Sequence, residues 1–232
     1  MDNVPLTPLD LLNADPDKRY VQTDAKRKDW IQSGEGRQVF PRELKPDQVG
    51  SIEEIAHALA GKFRFTCQTK QRYSVAEHCV RGSLLLPPAF AGAFLLHELS
   101  EVYLPDIAGP LKAFVSVYVP TEGRAMIPWS ELEREHTSVM LQALGLSSIE
   151  LLIYSPEVKQ LDWAMVAAEK RDLFDGEPAT WSLPHPPPDG LPGPIYAWTP
   201  DEAKRQFLAR FRELFGHEHD NQRTVGGEPI PF

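Results

Sequence analysis

The residues best suited to chemistry lie in one short stretch, 95–106, which combines an imidazole with several carboxylates. His97 is followed by Glu98, Glu101 and Asp106, and the side chains between them are mostly apolar. Ionised groups are costly to bury unless they are paired or coordinate a metal. Acids inside an apolar segment therefore indicate a metal site or a group that takes part in a reaction.

A second histidine and a distant acid carry the same signal on other predicted helices. His78 follows Val75 by three residues, and Asp162 precedes Met165 by three. Apolar residues at three- and four-residue spacing form the buried stripe of a helix, so both side chains are predicted to face the interior. Nitrogen and carboxylate donors together suit Zn, Co, Mn, Ni or Fe, whereas Mg prefers nearly all oxygen. We expect a divalent transition metal, with Mg as the alternative.

Each of these residues also has a purely structural interpretation. His78 alone would more often be a core histidine with a satisfied hydrogen bond, or an exposed one. Asp162 is equally well explained as a helix-surface acid, and His136 lies in a charge run that is typical of a solvated face. The group around His97 resists this explanation, because a solvated face would not be flanked by the apolar residues 94–96.

The order His78, His97-Glu98 and Asp162 on successive predicted helices resembles the H…HD…D ligand pattern of the HD-domain metal-dependent phosphohydrolases. Residues 25–175 are most similar to the YfbR-like 5′-deoxynucleotidase branch and its phage relatives. The matching phrases are Ser51 to Leu59, Arg64-Phe65, Tyr73 to His78, Asp106-Ile107 and Pro110 to Lys112. As a combination they are specific, although each alone is weak. The resemblance implies that the metal ligands are His78, His97, Glu98 and Asp162.

One ligand departs from the family pattern, because this chain has Glu98 where the family has aspartate. A glutamate still offers carboxylate oxygens, but it is one methylene longer. The metal is expected to shift, or the side chain to bend, and either change would alter metal preference or impair turnover.

The resemblance also assigns roles outside the ligand set. Glu101 and Asp106 would position or deprotonate the attacking water, and a continuous helix over 89–104 would place Glu101 one turn after His97 on the same face. Arg64 would bind phosphate through its planar fork, unless it only pairs with a surface carboxylate. The other predicted substrate-binding residues are Phe65, which would stack on a base or simply pack, and the second choices Lys112 and Arg72.

These roles imply a metal-dependent nucleotide phosphohydrolase. The expected reaction removes the 5′-phosphate of (deoxy)ribonucleoside monophosphates. Two alternatives stay open: a phage-type deoxynucleoside triphosphate triphosphohydrolase, acting for example on dATP, and a nucleotide-binding module with low turnover. The expected partner is a small nucleotide, and relatives of this branch lead us to expect a homo-oligomer.

Composition supports a globular protein and limits its partners. The 232 residues are 42% apolar and 25% charged, and the formal net charge of -9 argues against binding polymeric nucleic acid. The two cysteines form no Cys-x-x-Cys pair, and the first residues lack the features of a secretory signal. No apolar run approaches the ~18 residues that suggest a membrane span. We expect no membrane partner and a cytoplasmic location, which for a phage protein is the host cytoplasm.

The predicted fold class is all-α, an HD-domain helical bundle with additions at both ends. Residues 1–45 are predicted to be an extension with short ordered pieces such as 23–32, and residues 46–175 the HD-type domain. Prolines make 176–200 an extended wrap, and a helix beginning at Thr199 completes the unit that ends at residue 215. Residues 216–232 are predicted to be a flexible tail. The predicted helices begin near Ser51 with a capping box and then cover 74–85, 89–104, 129–144 and 156–174, with a short helix and a loop over the pocket in 108–128.

Overall fold

A computed structural model describes residues 30–117, 126–175, 181–191 and 193–216. In these ranges the regular structure is mostly helical, as the all-α prediction requires. Within the described residues, the strands form two antiparallel pairs, β1 with β2 and β3 with β4. The elements are β1 (Ile31–Gln32), β2 (Gln38–Val39), α1 (Ile52–Gly61), α2 (Val75–Ser83), α3 (Pro88–Leu95), α4 (Gly109–Lys112), β3 (Ser116–Val117), β4 (Ile127–Pro128), α5 (Trp129–Ala143), α6 (Glu150–Ile153), α7 (Pro156–Leu173) and α8 (Pro200–Phe215).

Most of the long helices begin at a serine or threonine whose hydroxyl accepts a hydrogen bond from a backbone N–H of the first turn. Ser74 caps α2 in this way, Ser155 caps α7 and Thr199 caps α8. Such a cap satisfies one of the amides that the first turn leaves unpaired and contributes about 1 kcal/mol. The helices that carry the candidate site therefore have starts fixed by local sequence.

The core forms where α1, α2 and α3 pack against the C-terminal helix α8. Phe207 and Phe211 of α8 are completely buried in this core. A close approach between α2 and α3 depends on Gly82, because a Cβ at this position would lie 2.0 Å from the ring of Phe94. Gly82 is one turn after His78 on the same face of α2. The small residue therefore brings His78 towards the end of α3.

The predicted continuous helix over 89–104 is wrong. Helix α3 ends at Leu95, and a separate 3-10 helix covers Leu99–Val102. The reason is local: His97 Nδ1 lies 2.6 Å from the Phe94 carbonyl oxygen, which would otherwise accept from the amide of Glu98 in a continuing helix. The imidazole replaces that bond, so the chain unwinds here. His97 and Glu98 consequently leave the helix surface.

The segment before α1 packs on the helical body through carboxylates. Ser51 caps α1 as predicted, with its hydroxyl accepting from the amide of Glu54, but the reciprocal half of the capping box is not made. Instead Glu54 accepts from the amide of Gly34 at 2.8 Å, and Glu35 accepts from both the amide and the hydroxyl of Ser51. These bonds tie the β1–β2 turn to the start of α1.

His136 was predicted to lie on a solvated face, and this is wrong. It is 1% exposed, and its Nε2 donates to the carbonyl of Pro41 at 2.6 Å. Burial lowers the pKa of His136, although the Pro41 carbonyl partly opposes this by favouring the charged form. The neutral imidazole thus joins α5 to the segment before α1.

This histidine should make the fold sensitive to acid. Its folded pKa is lowered, so its contribution to stability is complete above the unfolded pKa of about 6.5 and is lost as pH falls through the folded pKa. We expect the free energy of unfolding of the native protein, minus that of His136→Gln, to decrease with falling pH below 6.5. Denaturant unfolding of both proteins at several pH values measures this difference, and a flat difference would contradict the prediction.

The proline-rich segment lies against α2 and α7 where it is described. Trp198 is held from two sides, since its amide donates to buried Glu77 at 2.8 Å and the Arg81 guanidinium lies 4.5 Å from its ring centroid. Trp181 packs beside Phe174. Tyr196, in contrast, is 69% exposed and does not anchor the segment by packing.

No helix in the described ranges is long and apolar enough to cross a membrane. Several predictions fall outside those ranges. They concern residues 1–29, the greater part of the loop after β3, residues 176–180 and the tail from 217.

Candidate metal centre

Four predicted ligands from three regions of the chain meet at one point. His78 comes from α2, the pair His97 and Glu98 from the unwound end of α3, and Asp162 from α7. One donor atom from each of the four side chains lies within 4.8 Å of every other, an arrangement that could hold a metal ion. The structure therefore brings together the complete ligand set predicted from the sequence.

The two imidazoles present lone pairs to each other. His78 Nδ1 lies 2.6 Å from a Glu169 oxygen, and His97 Nδ1 lies 2.6 Å from the Phe94 carbonyl. Both partners are acceptors, so each neutral ring carries its proton on Nδ1 and leaves Nε2 bare. The two Nε2 atoms are 3.3 Å apart. Two facing acceptors are unfavourable unless a proton or a cation lies between them.

Asp162 strengthens this argument. Its buried Oδ1 lies 3.2 Å from His78 Nε2 and 3.8 Å from His97 Nε2, yet it makes no hydrogen bond within the described part of the chain. A buried carboxylate oxygen without a hydrogen bond is costly unless a cation compensates it. Nitrogen and oxygen donors that converge without donors of their own fit a divalent metal.

The electrostatic field at this point favours positive charge. Burial by itself would lower the pKa of His97, but Glu98 and Asp162 raise it well above its usual range. Glu98 Oε1 lies 3.6 Å from His97 Nε2, so its extra methylene does not remove it from the group. The carboxylates thus supply the negative charge that a metal ion would neutralise.

Glu169 belongs to the site and was missed in the sequence. It is completely buried on α7, two turns after Asp162 on the same face, and holds His78 in the tautomer that turns Nε2 towards the other ligands. Its remaining oxygen lies 3.3 Å from Arg64 Nε. The available signal was an ionisable residue beside Ala167 and Ala168, seven positions after a predicted ligand.

Glu169→Gln should therefore weaken metal binding without altering any ligand. Loss of a carboxylate that orients a ligating histidine typically lowers metal affinity by about 10- to 100-fold. Calorimetric titration of metal-stripped protein with Co²⁺ measures this, and Glu157→Gln, at an exposed position of the same helix, is the matched control. Equal Co²⁺ affinity in both variants would show that Glu169 does not orient His78.

The two predicted catalytic acids lie beside the ligands but differ in exposure. Glu101 is 1% exposed, its Oε2 has no hydrogen-bond partner among the described residues, and burial together with Glu98 and Asp106 raises its pKa well above the usual range. Asp106 is half-buried, and burial raises its pKa while Arg64 partly offsets the effect. Both carboxyls can therefore exchange protons nearer neutral pH than ordinary acids can.

A half-buried lysine that the sequence did not single out holds the segment that carries these acids. The Lys62 ammonium donates to the backbone carbonyls of Glu101, Val102 and Leu104 at the end of the 3-10 helix. Burial lowers the pKa of Lys62, while Glu101 and Asp106 oppose the shift. Lys62 therefore satisfies carbonyls that the short helix leaves open and keeps Glu101 in place.

Two of the predicted substrate-binding residues form ion pairs with carboxylates, and a third is exposed. Arg64 is buried, with ion pairs to Glu98 and Glu169, and Lys112 of α4 pairs with Glu133 of α5 at 2.8 Å. Arg72 does not join this group, because it is exposed and its guanidinium lies over the ring of Phe63. Its position gives no support to the predicted contact with substrate.

Phe65 lies in an aromatic cluster, which favours the packing interpretation over base stacking. Its ring centroid is 5.4 Å from that of Phe174 and 6.0 Å from that of Trp181. The backbone here is left-handed at three successive positions, with φ of 56° at Phe65, 50° at Thr66 and 62° at Cys67. Such residues are strained and persist only where packing fixes them. The aromatic cluster supplies that packing next to Arg64.

Comparison with known proteins adds a relative of undetermined function. No protein-family model matches the chain. It is similar to the uncharacterized protein YfdR of Escherichia coli K12, with 29% identity over 189 residues that cover 80% of this chain and 95% of that protein. Sequence similarity therefore extends over most of both chains.

Proposed function

We propose that the protein is a metal-dependent phosphohydrolase of the HD-domain type that removes the 5′-phosphate from nucleoside monophosphates. The observation that carries the proposal is the convergence of His78, His97, Glu98 and Asp162, with the carboxyls of Glu101 and Asp106 beside them. A divalent transition metal held by these four ligands would polarise the phosphate and activate water. Zn, Co, Mn, Ni and Fe suit the donor set, with Mg as the alternative.

The residues around the ligands have distinct tasks in this reaction. Asp106, half-buried and with a raised pKa, accepts a proton from the attacking water. Glu101 is almost fully buried, which raises its pKa well above the usual range, and it would donate a proton to the leaving 5′-oxygen. Lys62 keeps the Glu101 backbone in place.

Charge favours a monophosphate over a triphosphate. In the described part of the chain, carboxylates around the ligands outnumber the basic side chains near them, which are Lys62, Arg64 and Lys112. A divalent ion brings such a site close to neutrality. A phosphate monoester adds up to about two negative charges, whereas a triphosphate adds more and finds few further cations here.

A nucleotide-binding module with low turnover is the second candidate. It is favoured by the ion pair between Glu98 and Arg64, whose NH1 lies 3.3 Å from Glu98 Oε1. The same oxygen lies 3.6 Å from His97 Nε2, so a metal bound to it would share it with the guanidinium. In such a module, metal and nucleotide would bind while hydrolysis stayed slow.

The deciding experiment uses metal-stripped protein and a panel of deoxy- and ribonucleoside mono-, di- and triphosphates. Zn, Co, Mn, Ni or Mg is added back, and released phosphate and triphosphate are quantified separately. Phosphate release from monophosphates, lost in His97→Ala, supports the proposal. Triphosphate release would support the phage-type alternative, whereas nucleotide binding without release under any metal would support the binding module.

A further inference from the structure

Arg64 is held between two buried carboxylates. Its NH1 lies 3.3 Å from Glu98 Oε1, its Nε lies 3.3 Å from Glu169 Oε2, and its side chain is 10% exposed. Phe65 covers the guanidinium, whose carbon is 5.5 Å from the ring centroid. NH1 donates to Glu98, whereas the buried Nε faces Glu169 as an ion pair without hydrogen-bond geometry, so the guanidinium is held by the charges of two carboxylates of the site.

Both carboxylates that pair with Arg64 belong to the candidate metal centre. Glu98 is one of the four ligands, and Glu169 orients His78 through a 2.6 Å contact. The contacts His78–Glu169–Arg64–Glu98 therefore form a chain that joins two ligands from different segments of the protein. Removing one member of a buried charge group leaves its partners uncompensated, which is more costly than losing an exposed pair.

The unusual length of Glu98 explains this arrangement. A shorter acid at this position would end one C–C bond, about 1.5 Å, nearer to its own backbone. With the glutamate, the carboxylate lies between His97 Nε2, at 3.6 Å, and Arg64 NH1, at 3.3 Å. The extra methylene therefore allows one carboxylate to contact both the ligand group and the arginine.

The side chain of Lys112 is more exposed to solvent than that of Arg64. Its Nζ pairs with Glu133 at 2.8 Å, its side chain is 31% exposed, and it belongs to the four-residue helix α4. Burial would lower the pKa of Lys112, but Glu98 and Glu133 raise it. The ammonium is thus charged and within the electrostatic influence of Glu98, and its three donors can rotate to a new partner.

We propose that Arg64 is a positioning residue, which fixes the metal ligands by joining Glu98 to Glu169, and that Lys112 leaves Glu133 to bind the substrate phosphate. This inference deepens the proposed function and depends on it for the identity of the phosphate. It reverses the order of the sequence prediction, in which Arg64 was the first choice for phosphate and Lys112 the second.

The test measures metal and phosphate separately, with Co²⁺ and inorganic phosphate as probes. Metal-stripped Arg64→Gln, Arg64→Lys and Lys112→Gln proteins are titrated with Co²⁺ by calorimetry and visible absorption. We expect Arg64→Gln to weaken Co²⁺ binding by about 10- to 100-fold and to change the absorption bands. Arg64→Lys, which keeps the charge but not the fork, should recover part of the affinity. Lys112→Gln should bind Co²⁺ like the native protein.

Phosphate binding to the Co²⁺-loaded proteins completes the test. Lys112→Gln should weaken it by about tenfold or more, the value of one charge-assisted hydrogen bond. Glu133→Gln is the matched control, and it should bind phosphate at least as tightly as the native protein because it frees Lys112.

Two results would overturn the inference. In the first, Arg64→Gln binds Co²⁺ normally but no longer binds phosphate. In the second, Lys112→Gln binds phosphate as tightly as the native protein. If Arg64→Gln fails to fold, Arg64→Lys decides by the same readouts. Native protein that binds no Co²⁺ would overturn both this inference and the metal centre. The expected Co²⁺ and phosphate results without hydrolysis of any nucleotide would overturn only the proposed function.

Discussion

Replacing His97 by alanine should reduce metal-dependent phosphate release by about a thousandfold or more. The imidazole supplies one of the two nitrogen donors, and its Nε2 lies between His78 and Asp162, at 3.3 and 3.8 Å. A metal that polarises phosphate and activates water lowers the barrier by several kcal/mol, and each 1.36 kcal/mol corresponds to a factor of ten. Released phosphate at saturating Co²⁺ measures the effect.

The control for this substitution is another histidine. His57→Ala lies on α1 at an exposed position and should retain full activity. His97 also has a structural role, because its Nδ1 donates to the Phe94 carbonyl at the end of α3. Thermal unfolding of each variant must therefore be measured beside the assay, to show that the variant is folded. His97→Asn retains a side-chain donor and should also be inactive. Substantial activity in a folded His97 variant would contradict the metal centre.

Glu101→Gln should have opposite effects on activity and stability. Loss of a positioned acid should lower turnover by about 10²- to 10⁴-fold. The folded pKa of Glu101 is raised, so its favourable contribution to stability exists below its ordinary pKa and is lost as pH rises through the folded pKa. The neutral amide avoids this loss. The variant should therefore be more stable than the native metal-free protein at pH 8, and this advantage should disappear near pH 4.

Paired measurements separate these effects. Denaturant unfolding of metal-stripped protein across this pH range gives the stability difference, and phosphate release by metal-loaded protein gives the activity. Glu157→Gln, at an exposed position of α7, should change neither. A Glu101→Gln protein that is fully active, or whose stability relative to the native protein is independent of pH, would show that Glu101 is not a buried acid of the site.

Helical periodicity predicted that His78 and Asp162 face the interior, and the resemblance to the HD-domain phosphohydrolases implied that they join His97 and Glu98 as metal ligands. His78 and Asp162 lie on apolar stripes, and packing of α2 and α7 on the same core brings them together. Helix starts were predictable for a similar local reason, as Ser51 and the Thr199-Pro200 start show. The residues that determine a helix start or the buried face of a helix are close together in the chain.

The rest of the site depends on side-chain contacts, some within a few residues and others between distant segments. The end of α3 follows from a bond between the His97 side chain and a backbone carbonyl, which periodicity does not reveal. The ion pair of Arg64 with Glu169 could not be predicted, because Glu169 is far along the chain and meets Arg64 only after folding. His136 lies among charged residues in sequence but is buried by the segment around Pro41.

The most direct test of the metal centre is the rate of phosphate release from deoxynucleoside monophosphates as metal-stripped protein is titrated with Co²⁺. The four converging ligands predict no release without metal, a rise with added Co²⁺, and saturation at about one ion per chain. Release that is independent of metal, or no release from any monophosphate at saturating Co²⁺, would contradict the proposed phosphohydrolase.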